Sequence, residues 1–450
     1  MLCFFNTTTD HWLLGRQPVR WPRTMLRARS MFVSVLVLPP AAVASIPRRL
    51  WLMLLTLIAA FALSQAFRTV TAMLAPGLQA EFGLSTHSLG AFAGLFALSF
   101  GVAQLLMGIG MDVYGLRRTL LLAFPQAVLG AALSTVTSSY HGLMLGQVLI
   151  GVGCAPVFLS CTVFLARHFP TERFAMLSGL SMGLGGLGML FTGTPLAWVV
   201  ERGGWRTGFG VLTGLCLLSW LLVWRVVHEP PRAQDASRPR ESVPQALRGM
   251  LQLLALPHTW GIVALGMSSY ASFLTLRGLW LGPLLIDRFG FSLVQAGHVA
   301  LAVSLIALFT PVLFGRLDPG PLRRRRWLCR TSLLQALLYL GLALCPSLPL
   351  NVVLVLCAGI LTGAGVLLYA DVRASYPPAL TGRALSLYTM AMFLGVALMQ
   401  WLSGVVADVA PQVGLDLYRG VLLMVAVWLT LASWAFRRLP QSPLLQEAKG

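Results

Sequence analysis

The feature that most constrains this chain is a series of apolar stretches, each about as long as a bilayer is thick. They recur near residues 50–75, 88–111, 119–137, 141–166, 174–200, 207–227, 258–286, 292–315, 327–346, 349–370, 384–410 and 415–437. A helix needs roughly 20 apolar residues to cross the hydrocarbon, and a helix satisfies its own backbone there. The pattern therefore predicts an all-α polytopic membrane protein with twelve spans and a lipid bilayer around it. Composition agrees: 57% of the 450 residues are hydrophobic and 10% are charged, against about 25% charged in a soluble domain.

Charge placement gives an orientation. Lys449 is the only lysine, so the net charge of +19 is almost all arginine. If both termini share one side, 27 of the 33 Arg and Lys fall in the tails and loops of that side. The opposite loops hold Arg202, Arg206, Arg288 and Arg419, while Arg68 and Arg277 lie inside spans. Positive loops stay cytoplasmic. The expectation is a multi-pass protein of the bacterial inner membrane with cytoplasmic N and C termini. The basic residues are scattered between spans, which excludes a nucleic-acid-binding face. The seven cysteines lie singly, without metal-type spacing, and there is no phosphate-cradling glycine loop. No enzyme activity, metal site or cofactor is expected.

The chain also repeats itself. Adding 207 to the numbering takes Gly108 to Gly315, Arg117 and Arg118 to Arg324 and Arg325, and Pro76 to Pro283. The same offset takes Phe82-Gly83 to Phe289-Gly290, Ser85 to Ser292 and Gly90 to Gly297. Asp112 departs from it, because Asp318 lies one position early. A repeat of this length predicts two homologous halves, hence two six-helix pseudo-repeats. The expected divisions are an N-terminal extension over 1–49, a six-helix bundle over 50–227, a cytoplasmic linker over 228–257, a second bundle over 258–437 and a cytoplasmic tail over 438–450. The extension reads as a disordered tail or as a start codon placed too far upstream.

The stretch Gly108–Arg118, G-I-G-M-D-V-Y-G-L-R-R, resembles the loop between the second and third helices of the major facilitator superfamily of transporters. Gly108, Asp112, Gly115, Arg117 and Arg118 carry the likeness, and Gly315 and Asp318 carry its echo. Val113 and Leu116 depart from the usual basic residues. The resemblance implies the major facilitator fold, a small-molecule substrate bound between the halves, and a single copy as the working unit. It also implies that Asp112 pairs at an inner gate, and that Asp371 with Arg373 forms a gate pair there. Gly203-Gly204-Trp205-Arg206 with Phe209 resembles the start of the sixth helix in several anion-transporting branches. An interfacial anchor explains those residues equally well. Gln147 stands where many proton antiporters of the superfamily carry arginine. The glycines between Gly179 and Gly188 in the fifth span read mainly as helix packing.

Two intramembrane arginines are the sharpest candidates. Each costs several kcal/mol in hydrocarbon unless it meets water or a partner. Arg68 in the first span and Arg277 in the seventh occupy near-equivalent places in the two halves. A guanidinium forks two hydrogen bonds onto a carboxylate or phosphate. Arginines so placed look like those that hold the anion in organophosphate-type carriers of the superfamily. Alternatively, Arg277 anchors an outer helix end beside Trp280. Gln65, Gln147, Ser268, Tyr270 and Tyr388 are the accompanying substrate-binding candidates. No Asp or Glu lies well inside a span, and His298 alone is placed as a proton relay. The expected function is secondary active or facilitated transport of a small organic or inorganic anion by alternating access. The alternatives are a proton-driven exporter of drugs or amphiphiles, and a membrane sensor that transports nothing.

Overall fold

Every apolar stretch becomes helix, and no strand occurs among the described residues. The computed structural model describes residues 47–169, 171–228 and 243–447. Nearly all of the N-terminal extension and residues 229–242 of the linker lie outside the described residues. Span 1 is Arg48–Phe67 continued by Thr71–Phe82. Spans 2, 3 and 4 are Thr86–Val113, Leu116–Val136 and Tyr140–His168. Spans 5 and 6 share one continuous stretch, Met176–Val226, of 51 residues. At about 1.5 Å per residue that is roughly twice what a hydrocarbon layer of about 30 Å requires. Gly204 divides it, because its backbone (φ 76°, ψ 172°) cannot continue a helix and a residue with a Cβ avoids that conformation. The eleven apolar helices are thus twelve crossings.

The second half repeats the pattern. Span 7 is Pro257–Thr275, a π-turn over Leu276–Trp280, and Leu281–Phe289. Spans 8 and 9 are Leu293–Arg316 and Pro321–Leu344. Span 10 joins Leu348–Leu361 to Gly365–Ser375, and spans 11 and 12 are Pro378–Val409 and Leu417–Arg438. Span 9 starts at Pro321 rather than near 327, since Gly320 and a proline in the first turn begin the helix ahead of the arginines.

Local geometry carries the repeat as well. Spans 1 and 7 end on left-handed Gly83 and Gly290. Spans 2 and 8 then start on Ser85 and Ser292, whose hydroxyls accept from the backbone N–H three residues on. This is the usual serine N-cap. Gly115 (φ 85°, ψ 163°) and Gly320 (φ 81°, ψ 165°) open spans 3 and 9 in the same conformation.

The halves meet along a seam of glycines. A Cβ on Gly90 of span 2 would lie 2.6 Å from the Gln400 carbonyl oxygen of span 11. Its repeat partner Gly297 of span 8 faces Thr194 and Ala197, with a Cβ 3.1 Å from the Thr194 Cα. A Cβ on Gly278 or Gly282 of span 7 would lie 2.7 or 2.2 Å from the Arg68 or Ala72 carbonyl oxygen of span 1. Close backbone approach through small residues is how helices associate in lipid. The Asp408 carboxylate at the end of span 11 accepts from the Thr86 hydroxyl and the His87 N–H at the start of span 2. These contacts run from the end opposite the chain termini down to the breaks in spans 1 and 7.

Gly395 of span 11 sits where a Cβ would be 2.2 Å from the Met267 carbonyl oxygen, whereas nothing lies within 4 Å of one at Gly179. Overpacking costs about 1–3 kcal/mol. Thermal unfolding of the detergent-purified protein is expected to show a lower midpoint for Gly395→Val and an unchanged one for Gly179→Ala. Equal midpoints would contradict this packing.

Candidate functional site

Arg68 lies where span 1 stops being a helix. The turn Arg68–Val70 separates its two segments, and the Ala66 carbonyl is taken by the Thr69 N–H at 3.0 Å. The half-buried Arg68 guanidinium reaches across the two halves. Its Nη1 donates to the Tyr270 hydroxyl of span 7 at 3.1 Å. Its carbon lies 4.9 Å from the ring centres of both Phe100 of span 2 and Phe393 of span 11. Those rings are buried and pack on each other at 4.2 Å. Cation–π contact stabilises the charge by about 0.5–2 kcal/mol per ring, but a ring face accepts no conventional hydrogen bond. The Nε of Arg68 is enclosed and has no partner.

Arg277 has a different environment. It sits in the π-turn of span 7, where the Leu281 N–H reaches back five residues to the Leu276 carbonyl. The side chain is 0% exposed. Its Nε donates to the Ala300 carbonyl at 3.0 Å and the Ser304 hydroxyl at 2.9 Å on span 8. Its Nη2 crosses to the other half and donates to the Met189 carbonyl at 3.0 Å and the Thr192 hydroxyl at 3.4 Å. That carbonyl is available because span 5 breaks beside it, with the Gly193 N–H turning to Leu190 instead. The Thr192 and Thr69 hydroxyls share a 2.6 Å hydrogen bond. The breaks in spans 1 and 5 and the π-turn of span 7 thus form one junction.

The other candidates divide around this junction. Tyr270 joins Arg68 directly. Tyr388 is buried, packs edge-on against Tyr369 at 4.7 Å and lies against Gly266. Gln65 is half-buried and its Oε1 has no partner. Gln147 is buried with an unpartnered Nε2. The Ser268 hydroxyl is spent on the Leu265 carbonyl of its own helix. Sequence reasoning missed Phe100 and Phe393, which look like ordinary apolar positions. It also missed Met189, whose backbone carbonyl has no sequence signature.

The gate candidates lie at the opposite end. Gly108 is in the last turns of span 2, and the Asp112 side chain lies outside the described residues. Gly115 caps span 3, Arg117 donates to the Trp224 carbonyl at 2.9 Å, and Arg118 is exposed. In the second half Gly315 has open space around it. Asp318 accepts from the Gly320 N–H and pairs with Arg324 at 3.0 and 2.5 Å. The Arg324 hydrogen bond holds the Asp318 carboxyl below its usual range. Arg324 also donates to the Ala370 carbonyl, next to buried Asp371, whereas Arg373 is exposed. At the far end, Trp205 Nε1 and Arg206 both donate to Glu81, and Arg206 reaches the Thr137 carbonyl at 3.0 Å. The Gly-Gly-Trp-Arg stretch therefore ties the start of span 6 to spans 1 and 3.

Comparison with known proteins accords with this architecture. The chain is 22% identical over 234 residues to the hexuronate transporter of Bacillus subtilis (strain 168), covering 50% of this chain and 54% of that one. It is 26% identical over 196 residues to the D-galactonate transporter of Escherichia coli O6:H1, covering 43% and 45%. The matches thus span about half the length of these curated relatives. The crystal structure of a D-xylose–proton symporter superposes with a TM-score of 0.69 at 14% identity, covering 88% of this chain and 99% of that one. The sequence profile of the Major Facilitator Superfamily matches residues 56–400, and the chain belongs to that superfamily.

Proposed function

We propose that this protein carries a small organic anion across the inner membrane of a bacterium by alternating access, as a monomer. The observation that carries the reading is Arg68. Its guanidinium is half-buried between the halves, with one donor on Tyr270 and an enclosed Nε without an acceptor. A half-buried guanidinium short of acceptors is stabilised by a carboxylate that meets its open side. Hexuronate and D-galactonate, the solutes named for two relatives, are organic anions and agree with this.

The halves 50–227 and 258–437 rock about the site. With cytoplasmic termini, the glycine seam is the periplasmic end. In this form Arg277 acts as a tie across the periplasmic end. Outward opening must part it from Met189 and Thr192, and must part Asp408 from Thr86 and His87. The pair Asp318–Arg324 and the neighbouring Asp371 belong to the cytoplasmic gate, with Gly108, Gly115, Arg117 and Arg118 at the matching place in the first half.

Three outcomes are expected. A reporter fused after Gly450 reads as cytoplasmic, and a periplasmic reading would reverse the assignment of the closed end. Arg68→Ala weakens anion binding about tenfold to a hundredfold while the protein still reaches the membrane, and undiminished uptake would refute the site. Arg277→Gln shifts the population towards the outward-open form. In a background cleared of native cysteines, Thr194→Cys then labels about tenfold faster from outside; an unchanged rate means that Arg277 is no tie.

A further inference from the structure

The rings around Arg68 say more about the ligand than its charge does. Arg68 is flanked by Phe100 and Phe393, and Tyr270 packs edge-on against Phe393 at 5.8 Å, with planes at 73°. One turn away on span 11, Tyr388 packs against Tyr369, and the Tyr369 hydroxyl donates to the Met392 sulfur at 3.9 Å. Tyr270 and Tyr369 are only half-buried. The surfaces that meet a ligand here come from spans 1, 7 and 10, so they belong to both halves.

The hydrogen-bonding capacity is small by comparison. The phenol of Tyr270 already accepts from Arg68, Tyr369 is turned to a sulfur, and Ser268 is satisfied within its own helix. Arg277, the other intramembrane cation, is fully buried, with Nε and Nη2 on acceptors and Nη1 enclosed without one. One cation therefore faces the ligand. On Arg68, Nε is enclosed and Nη1 is on Tyr270, which leaves Nη2 to meet a carboxylate oxygen. A polyhydroxylated acid would lose its water to a largely aromatic wall, where Gln65 Oε1 is the one substrate-binding candidate with a free acceptor. A flat ring bearing one carboxylate would lose little and would meet edge-to-face partners.

Resting on the proposed anion-carrier reading, we infer that the Arg68 site takes a planar aromatic monocarboxylate, with the carboxylate on the Arg68 guanidinium and the ring against Tyr270 and Tyr369.

The test is equilibrium binding to the purified full-length protein in nanodiscs, by calorimetry. The probes are benzoate, cyclohexanecarboxylate, gluconate, phthalate and benzamide. Benzoate is expected to bind about fivefold to tenfold tighter than cyclohexanecarboxylate, which has the same charge and no aromatic face. It is also expected to bind more tightly than gluconate and phthalate, with benzamide silent. Arg68→Lys should weaken benzoate. Tyr369→Leu should erase the preference over cyclohexanecarboxylate while leaving carboxylate binding in place. Phe393→Leu serves as a second ring variant if Tyr369→Leu does not fold. Tighter binding of gluconate or phthalate, or equal binding of benzoate and cyclohexanecarboxylate, overturns the aromatic assignment and leaves the anion reading standing. Binding of benzamide with no carboxylate binding overturns both.

Discussion

A polar group inside hydrocarbon must find a partner there, and this chain interrupts three of its helices at one level. Span 1 stops at Arg68–Val70, span 5 breaks before Gly193, and span 7 widens into a π-turn. Each interruption frees backbone groups that lipid cannot solvate. They are satisfied mutually. The Met189 carbonyl takes Arg277, the Thr192 hydroxyl takes Thr69, and Gly278 lets span 7 close over the Arg68 carbonyl. Interruptions of this kind persist where protein covers them. They also mark where a helix pair can change its arrangement without breaking a whole ladder of hydrogen bonds.

The rest of the seam is built differently. Gly90 on span 2 and Gly297 on span 8 admit spans 11 and 5, so the repeat reproduces the same contact on both sides of the molecule. These contacts are largely backbone against backbone. Parting them forfeits dispersion, which is small per atom pair. In the proposed carrier the polar ties at Arg277, at Asp408 and between Thr194 and His298 are the discrete steps in opening this end.

The spans were legible because lipid leaves only one reading for a long apolar run. Their limits moved where arginine hid a helix start, as at Pro321. The repeat was legible in Gly83, Ser85 and Gly90, whose counterparts share conformation or contact. It slipped in the loop after span 8, where Gly320 and not Leu322 takes the part of Gly115. The site was legible in half. Arg68 and Arg277 look alike in the sequence, since charge and depth are all it displays. What separates them is the supply of acceptors: a π-turn and a broken fifth span deliver four to Arg277, and a phenol with two rings serves Arg68. The glycines leading into span 5's break read as packing, and backbone carbonyls carry no letter in the sequence.

That difference bears on how binding and movement are linked in the proposed carrier. Arg277 Nη2 keeps its acceptors only while the halves are closed at its end, so separating them frees a donor that water or an anion must then meet. Arg68 is under-satisfied in the present form, so it is the group an anion relieves here. A ligand shifts an equilibrium only by its differential affinity for the two states. An anion held between Arg68 of one half and the tyrosines of the other contacts both halves at once. It favours the arrangement in which those surfaces are closest, and it does so through the same aromatic residues that keep the guanidinium in place when the site is empty.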